Sequence, residues 1–256
     1  MQKFSRDFLI LAVPLTFMII GAWFYLDSMY MQPVDLQGAF SILAMPMVQT
    51  WTLSDFAVMT FMWIVMMFAM MMPSTFNFLF IFNKMRLNMQ TVHSPKIELA
   101  ILVVTYFLLW AIFSLTTVTL QYLLHNANLI NMMGSINNNY IAATLIILAG
   151  IYQFTDLKSV CLEKCRNPLS YIMGTKINNF KDIISIGISN GLYCIGCCWV
   201  LMLLLFVNGV MNLLWVLVIT LAVLAEKVFP YGNIISKLFG ISLISWGSLI
   251  FIFEFI

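Results

Sequence analysis

The sequence predicts an all-α fold, a polytopic bundle of about seven membrane-spanning helices with the N-terminus inside and the C-terminus outside. Three observations carry this. Of the 256 residues, 62% are hydrophobic and only 9% are charged, whereas soluble domains carry roughly 25% charge. The apolar residues fall in runs long enough to cross a bilayer, which takes about 20 residues each. The twelve Lys and Arg residues occur only in alternate connections, and positive charge is retained on the cytoplasmic side.

Taken in order, the expected spans are 8–26, 56–82, 98–124, 140–155, 183–207, 210–229 and 234–253, forming one integral membrane domain over residues 1–256. Lys3 and Arg6 precede the first span. It resembles a signal peptide in position, but Gly21-Ala22-Trp23-Phe24-Tyr25 is too bulky for a cleavage site, so a retained helix is expected. The outer connection 27–55 holds Asp27, Asp35 and Asp55 and an apolar stretch, Ala39 to Val48, that is too short to span and is expected to lie at the interface or to re-enter. Asp55 opens the second span, where a carboxylate suits a helix N-terminus. Lys84, Arg86 and Lys96 mark the next cytoplasmic connection. The fourth span is short and is expected to tilt or to thin the bilayer. The long inner connection 156–182 carries Lys158, Lys164, Arg166, Lys176 and Lys181, with a short juxtamembrane helix expected to stop before Pro168. Asn208-Gly209 is so short a link that the fifth and sixth spans are expected to be side-by-side antiparallel neighbours. Lys227 and Lys237 complete the inner set. A plasma-membrane location follows, with lipid as the surrounding partner. The basic residues orient the chain and do not form a nucleic-acid surface.

Chemistry is concentrated in sulfur. Cys194, Cys197 and Cys198 stand at i, i+3 and i+4 in the middle of span five, so all three project from one side of the helix. Met202 extends that face, and Gly196 allows a neighbouring helix to approach closely. Thiolate and thioether donors select Cu(I) over harder ions. In span two, Met62, Met66 and Met70 form a stripe, with Met67 and Met71 on an adjacent line, near the same depth. Thioethers are neutral and hold an ion weakly, as a transfer route requires, although methionine is also a common apolar filler. Cys161 and Cys165, spaced i and i+4, are expected to form a separate docking site on the cytoplasmic side. Glu226 and Lys227 lie near the inner end of span six. An ionisable residue there is a functional candidate; Glu226 could relay a proton, balance charge or pair with a base, while Lys227 could snorkel to the interface.

There are only two histidines, His93 and His125, expected on opposite faces, which argues against haem and most zinc sites. No nucleotide-binding glycine loop is present, and no hydrolytic triad can be assembled, so an enzyme is the less favoured class.

Three stretches together resemble an uncharacterised microbial family of predicted metal-binding integral membrane proteins. They are Asp55 through Met66-Met67-Phe68-Ala69-Met70-Met71-Met72-Pro73-Ser74, then Cys161 to Ser170, then Gly191 to Trp199 running on to Gly209-Val210-Met211-Asn212 and Glu226-Lys227. The resemblance covers most of residues 55–245 and implies metal handling. Many members of that family carry histidines where this chain has Lys164 and Asn190; their absence leaves a sulfur donor set and points to Cu(I).

The reading that follows is a Cu(I)-binding membrane protein acting in copper transport or delivery. Its expected ligands are Cys194, Cys197 and Cys198 with Met66, Met70 or Met202, and Cys161 and Cys165 form its inner station. A cytoplasmic metal carrier or a membrane oxidase would be its partner. Two alternatives stand beside it: a transmembrane thiol–disulfide electron carrier, and a structural membrane subunit in which cysteine and methionine only pack.

Overall fold

The computed structural model describes residues 2–31, 51–87, 95–131, 133–167, 172, 177, 179–210 and 212–255. The Ala39–Val48 stretch, His93, Pro168 and Lys176 lie outside them. Among the described residues the secondary structure is helical, apart from an isolated bridge between Ile130 and Ile136. The helices are α1 (Gln2–Met31), α2 (Leu53–Leu87), α3 (Pro95–Asn126), α4 (Asn139–Tyr152), α5 (Asp156–Arg166), α6 (Phe180–Leu203), α7 (Leu205–Asn208), α8 (Leu213–Val228) and α9 (Gly232–Phe255). Four of the described helical stretches are long and apolar enough to cross a membrane: 53–86, 96–126, 180–208 and 232–254. Counting the bent pair α4 and α5 as one span raises this to five. Residues 12–27 of α1 form a shorter apolar helix.

Each predicted span coincides with helix, but the fourth is not one straight rod. α4 has 14 residues, or about 21 Å at 1.5 Å per residue, less than the ~30 Å of a hydrocarbon core. The chain then turns at Gln153-Phe154-Thr155 and α5 leaves at 63°. The turn is written locally. Thr155 caps α5, its hydroxyl accepting from the Lys158 amide at 3.3 Å, and Asp156 sits in the first turn, where the helix dipole favours a carboxylate. α5 ends at Asn167, as Pro168 predicts. It folds back against α6 and α8.

Helix α2 is central and packs against α1, α3 and α8. Its seven methionines from Met59 to Met72 are all buried. α3 also packs on α6, and α4 lies along α9. The pairing expected of spans five and six is corrected: α8 packs mainly against α2 and α9 rather than α6. The chain breaks at Leu204, makes the single turn α7, and swings away at Gly209, whose φ of 90° favours glycine. The 127–138 connection braces this corner. Ile136 N donates to Phe206 O at 2.8 Å and Ser135 Oγ to Val207 O at 3.1 Å.

Two ends are fixed by charge. Asp55 accepts from the Thr52 amide and hydroxyl at 2.9 and 2.7 Å, closing a cap at the start of α2. At the other end Arg86 forms a two-pronged pair with Glu98, at 2.6 and 2.5 Å, joining α2 to α3 in a fully buried setting. The sequence reading did not anticipate that pair.

Candidate metal centre

The i, i+3, i+4 spacing on α6 does what it predicts. Cys194, Cys197 and Cys198 are all buried. Cys197 Sγ and Cys198 Sγ both donate to the Cys194 carbonyl, at 3.1 and 2.8 Å, the usual way a lone thiol is satisfied inside a helix. Cys198 Sγ also meets Met71 Sδ of α2 at 3.9 Å. The thioether that reaches the thiols is therefore Met71. Met66, Met70 and Met202 are buried in the same core.

Helix α5 supplies the other two cysteines. A Cβ added at Gly196 would lie 2.9 Å from Cys161 Sγ, so the glycine is what lets α5 approach α6. Cys165, one turn further, is half-buried and packs against the same core. The helix that carries Cys161 and Cys165 thus packs on α6, with Cys161 against Gly196, between Cys194 and Cys197 in the sequence. The physical reason is the α4–α5 bend, which folds the Cys161–Cys165 face back onto α6 instead of leaving it at the surface. Tyr152 locks the crossing, its hydroxyl donating to Gly196 O and accepting from Trp199 Nε1 at 3.1 Å.

Lys227, which the sequence left free to snorkel, turns inward. It is buried at 6% exposure and donates to Cys194 Sγ at 2.9 Å, Ser74 Oγ at 3.4 Å and Met71 Sδ at 3.8 Å. Tyr106 OH stands 3.1 Å from the same Cys194 sulfur. A buried ammonium is costly without a counter-charge, and a thiolate on Cys194 would supply one. Glu226, next in sequence, faces elsewhere, as adjacent helical residues do. It pairs with Lys158 at 2.8 and 3.0 Å, both side chains buried. Lys158 also donates to Gln153 Oε1, which accepts from Ser236 Oγ at 3.0 Å. This network ties α5 to α8 and α9 beneath the thiols. Two further cations hold α5: Lys164 donates to Tyr193 OH at 2.9 Å, and Arg166 to the Phe229 and Pro230 carbonyls at 2.7 and 2.6 Å. Asn190 is buried on α6. Asp55 belongs to the cap of α2 described above.

As the side chains stand, no three His, Cys, Asp or Glu residues among those described form a group able to hold a metal ion. A thioether changes the chemistry. An ion held trigonally by sulfurs at about 2.3 Å spaces them about 4 Å apart, and the Cys198–Met71 separation of 3.9 Å already matches. Cys194 joins that pair through Lys227, whose ammonium touches both Cys194 and Met71. Two thiols, a thioether and an ammonium thus lie together in the core. No signal in the sequence singled out Met71 among its neighbours, and only the position of Lys227 one residue after Glu226 hinted that it would face another way.

The chain belongs to the copper chaperone family PpoB2, whose family model matches residues 60–250. That span contains all five cysteines and both members of the Glu226-Lys227 pair. No curated protein and no solved structure matches the chain significantly.

Proposed function

We propose that this protein is a membrane-embedded Cu(I) chaperone. It binds copper between Cys194, Cys198 and Met71, with Cys197 and Cys165 as exchange ligands, and hands the ion to an acceptor. The reading includes seven spans, N-terminus inside and C-terminus outside, in the plasma membrane. The alternation of Lys and Arg along the sequence and the large exposed apolar side chains on the helices, such as Phe17, Leu108 and Leu238, support it. The observation that carries the metal assignment is the 3.9 Å contact of Cys198 with Met71 beside the Lys227 ammonium. Two thiolates and Cu(I) sum to one negative charge, and Lys227 brings the loaded site to neutrality, the condition for burying it cheaply. Cys161 and Cys165, on a helix that reaches the site from the inner side, suit receipt of copper from a cytoplasmic carrier by ligand exchange. A membrane oxidase is a fitting recipient.

Anaerobic Cu(I) titration of the detergent-purified protein tests this, against a variant with Cys194, Cys197 and Cys198 all changed to Ser. One tightly bound equivalent that disappears in the variant supports the proposal; copper binding that survives loss of all three thiols refutes it. One observation favours a second reading. Cys161 Sγ lies against Gly196, between Cys194 and Cys197 in the sequence, so a Cys161–Cys165 disulfide could take two electrons and two protons from a thioredoxin dithiol, which becomes a disulfide, and pass them on to a disulfide among the α6 cysteines. Trapping a mixed disulfide with a single-cysteine thioredoxin would favour that relay.

A further inference from the structure

Where α4 bends into α5, a cavity of about 270 Å³ opens between the bend and the start of α9. A single water needs only roughly 10–15 Å³. Gln153 lines the cavity and is only 4% exposed. Its side-chain oxygen accepts from Lys158 Nζ and Ser236 Oγ, which fixes the way the amide points. Its Nε2 is left with no partner among the described residues. A buried donor left unpaired costs free energy, so the group that belongs in the cavity is an acceptor. Lys237, exposed and in no ion pair among the described residues, lines the same cavity. The first turns of α5 and α9 meet there through Asp156 and Asn233, and helix N-termini favour an anion. The acceptor is therefore an oxyanion. Asp156 adds an opposite demand: its own carboxylate calls for a donor on the ligand. The border of the cavity is apolar. Phe154 lines it and is exposed, and so are Leu157 and Leu238, next in sequence to Asp156 and Lys237. A free ion has no use for that border, whereas acyl chains do.

We propose that this cavity holds the headgroup of a zwitterionic phospholipid, its phosphate on Gln153 Nε2 and Lys237 and its ammonium on Asp156. The proposal rests on the membrane placement above and not on copper. Pockets between spanning helices on the cytoplasmic side are suited to lipid headgroups. This one offers one positive and one negative side chain, Lys237 and Asp156, the complement of a phosphoethanolamine. Lys158 and Glu226, behind Gln153, neutralise each other and leave that balance unchanged. The occupied cavity also bears on the thiols. The amide that holds the phosphate holds Lys158 through its oxygen, and Lys158 ties α5 to Glu226 on α8. A bound lipid therefore steadies the bend that lays α5 on α6.

The test is native mass spectrometry of the full chain in detergent, with phosphatidylethanolamine or phosphatidylcholine added. The two lipids share phosphate and net charge, but the choline ammonium has no N–H to donate. One phosphatidylethanolamine is expected to bind about tenfold more tightly than phosphatidylcholine, the scale of a charge-assisted hydrogen bond. Gln153→Glu keeps the oxygen that Lys158 and Ser236 use and puts an acceptor where the phosphate needs a donor. It is expected to lose about tenfold or more in phosphatidylethanolamine affinity. Lys237→Gln, at an exposed position, is expected to lose about tenfold with lipid-free melting unchanged. Equal binding of the two lipids, or wild-type affinity in both variants, would overturn the proposal and leave water as the partner of Gln153. Soluble glycerophosphoethanolamine that binds as tightly as the lipid would also overturn it, because the cavity would then take a headgroup without a membrane. Alkaline carbonate washing checks the membrane placement separately. A chain released by it fails that placement, whereas a retained chain without the lipid preference fails only this site.

Discussion

Replacing Lys227 with Met tests the electrostatic core of the site. The ammonium lies 2.9 Å from Cys194 Sγ and 3.8 Å from Met71 Sδ, so an ion bridging those sulfurs with Cys198 would have the charge roughly 5 Å from the centre of the copper–dithiolate unit. At an effective dielectric near 20, a unit charge acts on another at that distance with about 3 kcal/mol. Removing it leaves a net negative unit in a buried pocket, and the affinity for Cu(I) is expected to fall about 100-fold, since each 1.4 kcal/mol is about tenfold. Lys227→Arg keeps the charge and is expected to retain most of the affinity, although its planar fork cannot point at one sulfur as an ammonium does. Competition against a calibrated Cu(I) chelator in detergent reads both variants. Affinity of Lys227→Met within threefold of wild type, or tighter, would refute the reasoning. It would mean that Lys227 competes with the ion for Cys194 instead of balancing it.

Two predictions concern the frame around the site. Glu226→Leu leaves Lys158 buried and unpaired and is expected to cost about 3–5 kcal/mol, whereas Glu226→Leu with Lys158→Met should recover most of that, because an apolar pair often replaces a buried ion pair well; thermal melting of the detergent-solubilised proteins checks both. Gly196→Ala puts a methyl 2.9 Å from Cys161 Sγ and is expected to cost about 1–3 kcal/mol through overpacking; the same strain should push α5 away from α6, read as faster alkylation of Cys165. Unchanged melting and alkylation would show that α5 has slack at the crossing.

Much of the helical scaffold was readable because apolar run length is a local property. Each expected span coincides with helix, and the carboxylate of Asp55 caps α2 as its position suggests. The one-sided array of Cys194, Cys197 and Cys198 was readable for the same reason, since 3.6-residue periodicity is independent of the neighbours. What was not readable shares a cause. Cys161 and Cys165 were read as an inner docking site, since composition places a charged connection outside the apolar span. The Thr155 cap and the 63° bend instead turn that segment back onto α6. Lys227 was free to snorkel, as a single lysine near a span end usually can. The fold gives it sulfur and hydroxyl acceptors on two other helices instead.

By itself the sequence determined the helical class, the apolar segments, the alternation of basic connections and the clustering of thiols on one face, all of which depend on residues within a few turns of one another. The tertiary structure alone decided which thioether meets the thiols, that α5 closes over them, and that Lys227 and Glu226 serve different partners. Those outcomes depend on how far each helix is shifted along and rotated about its axis relative to the others. That register is set by many small packing contacts between distant segments, and no single stretch of the chain records it.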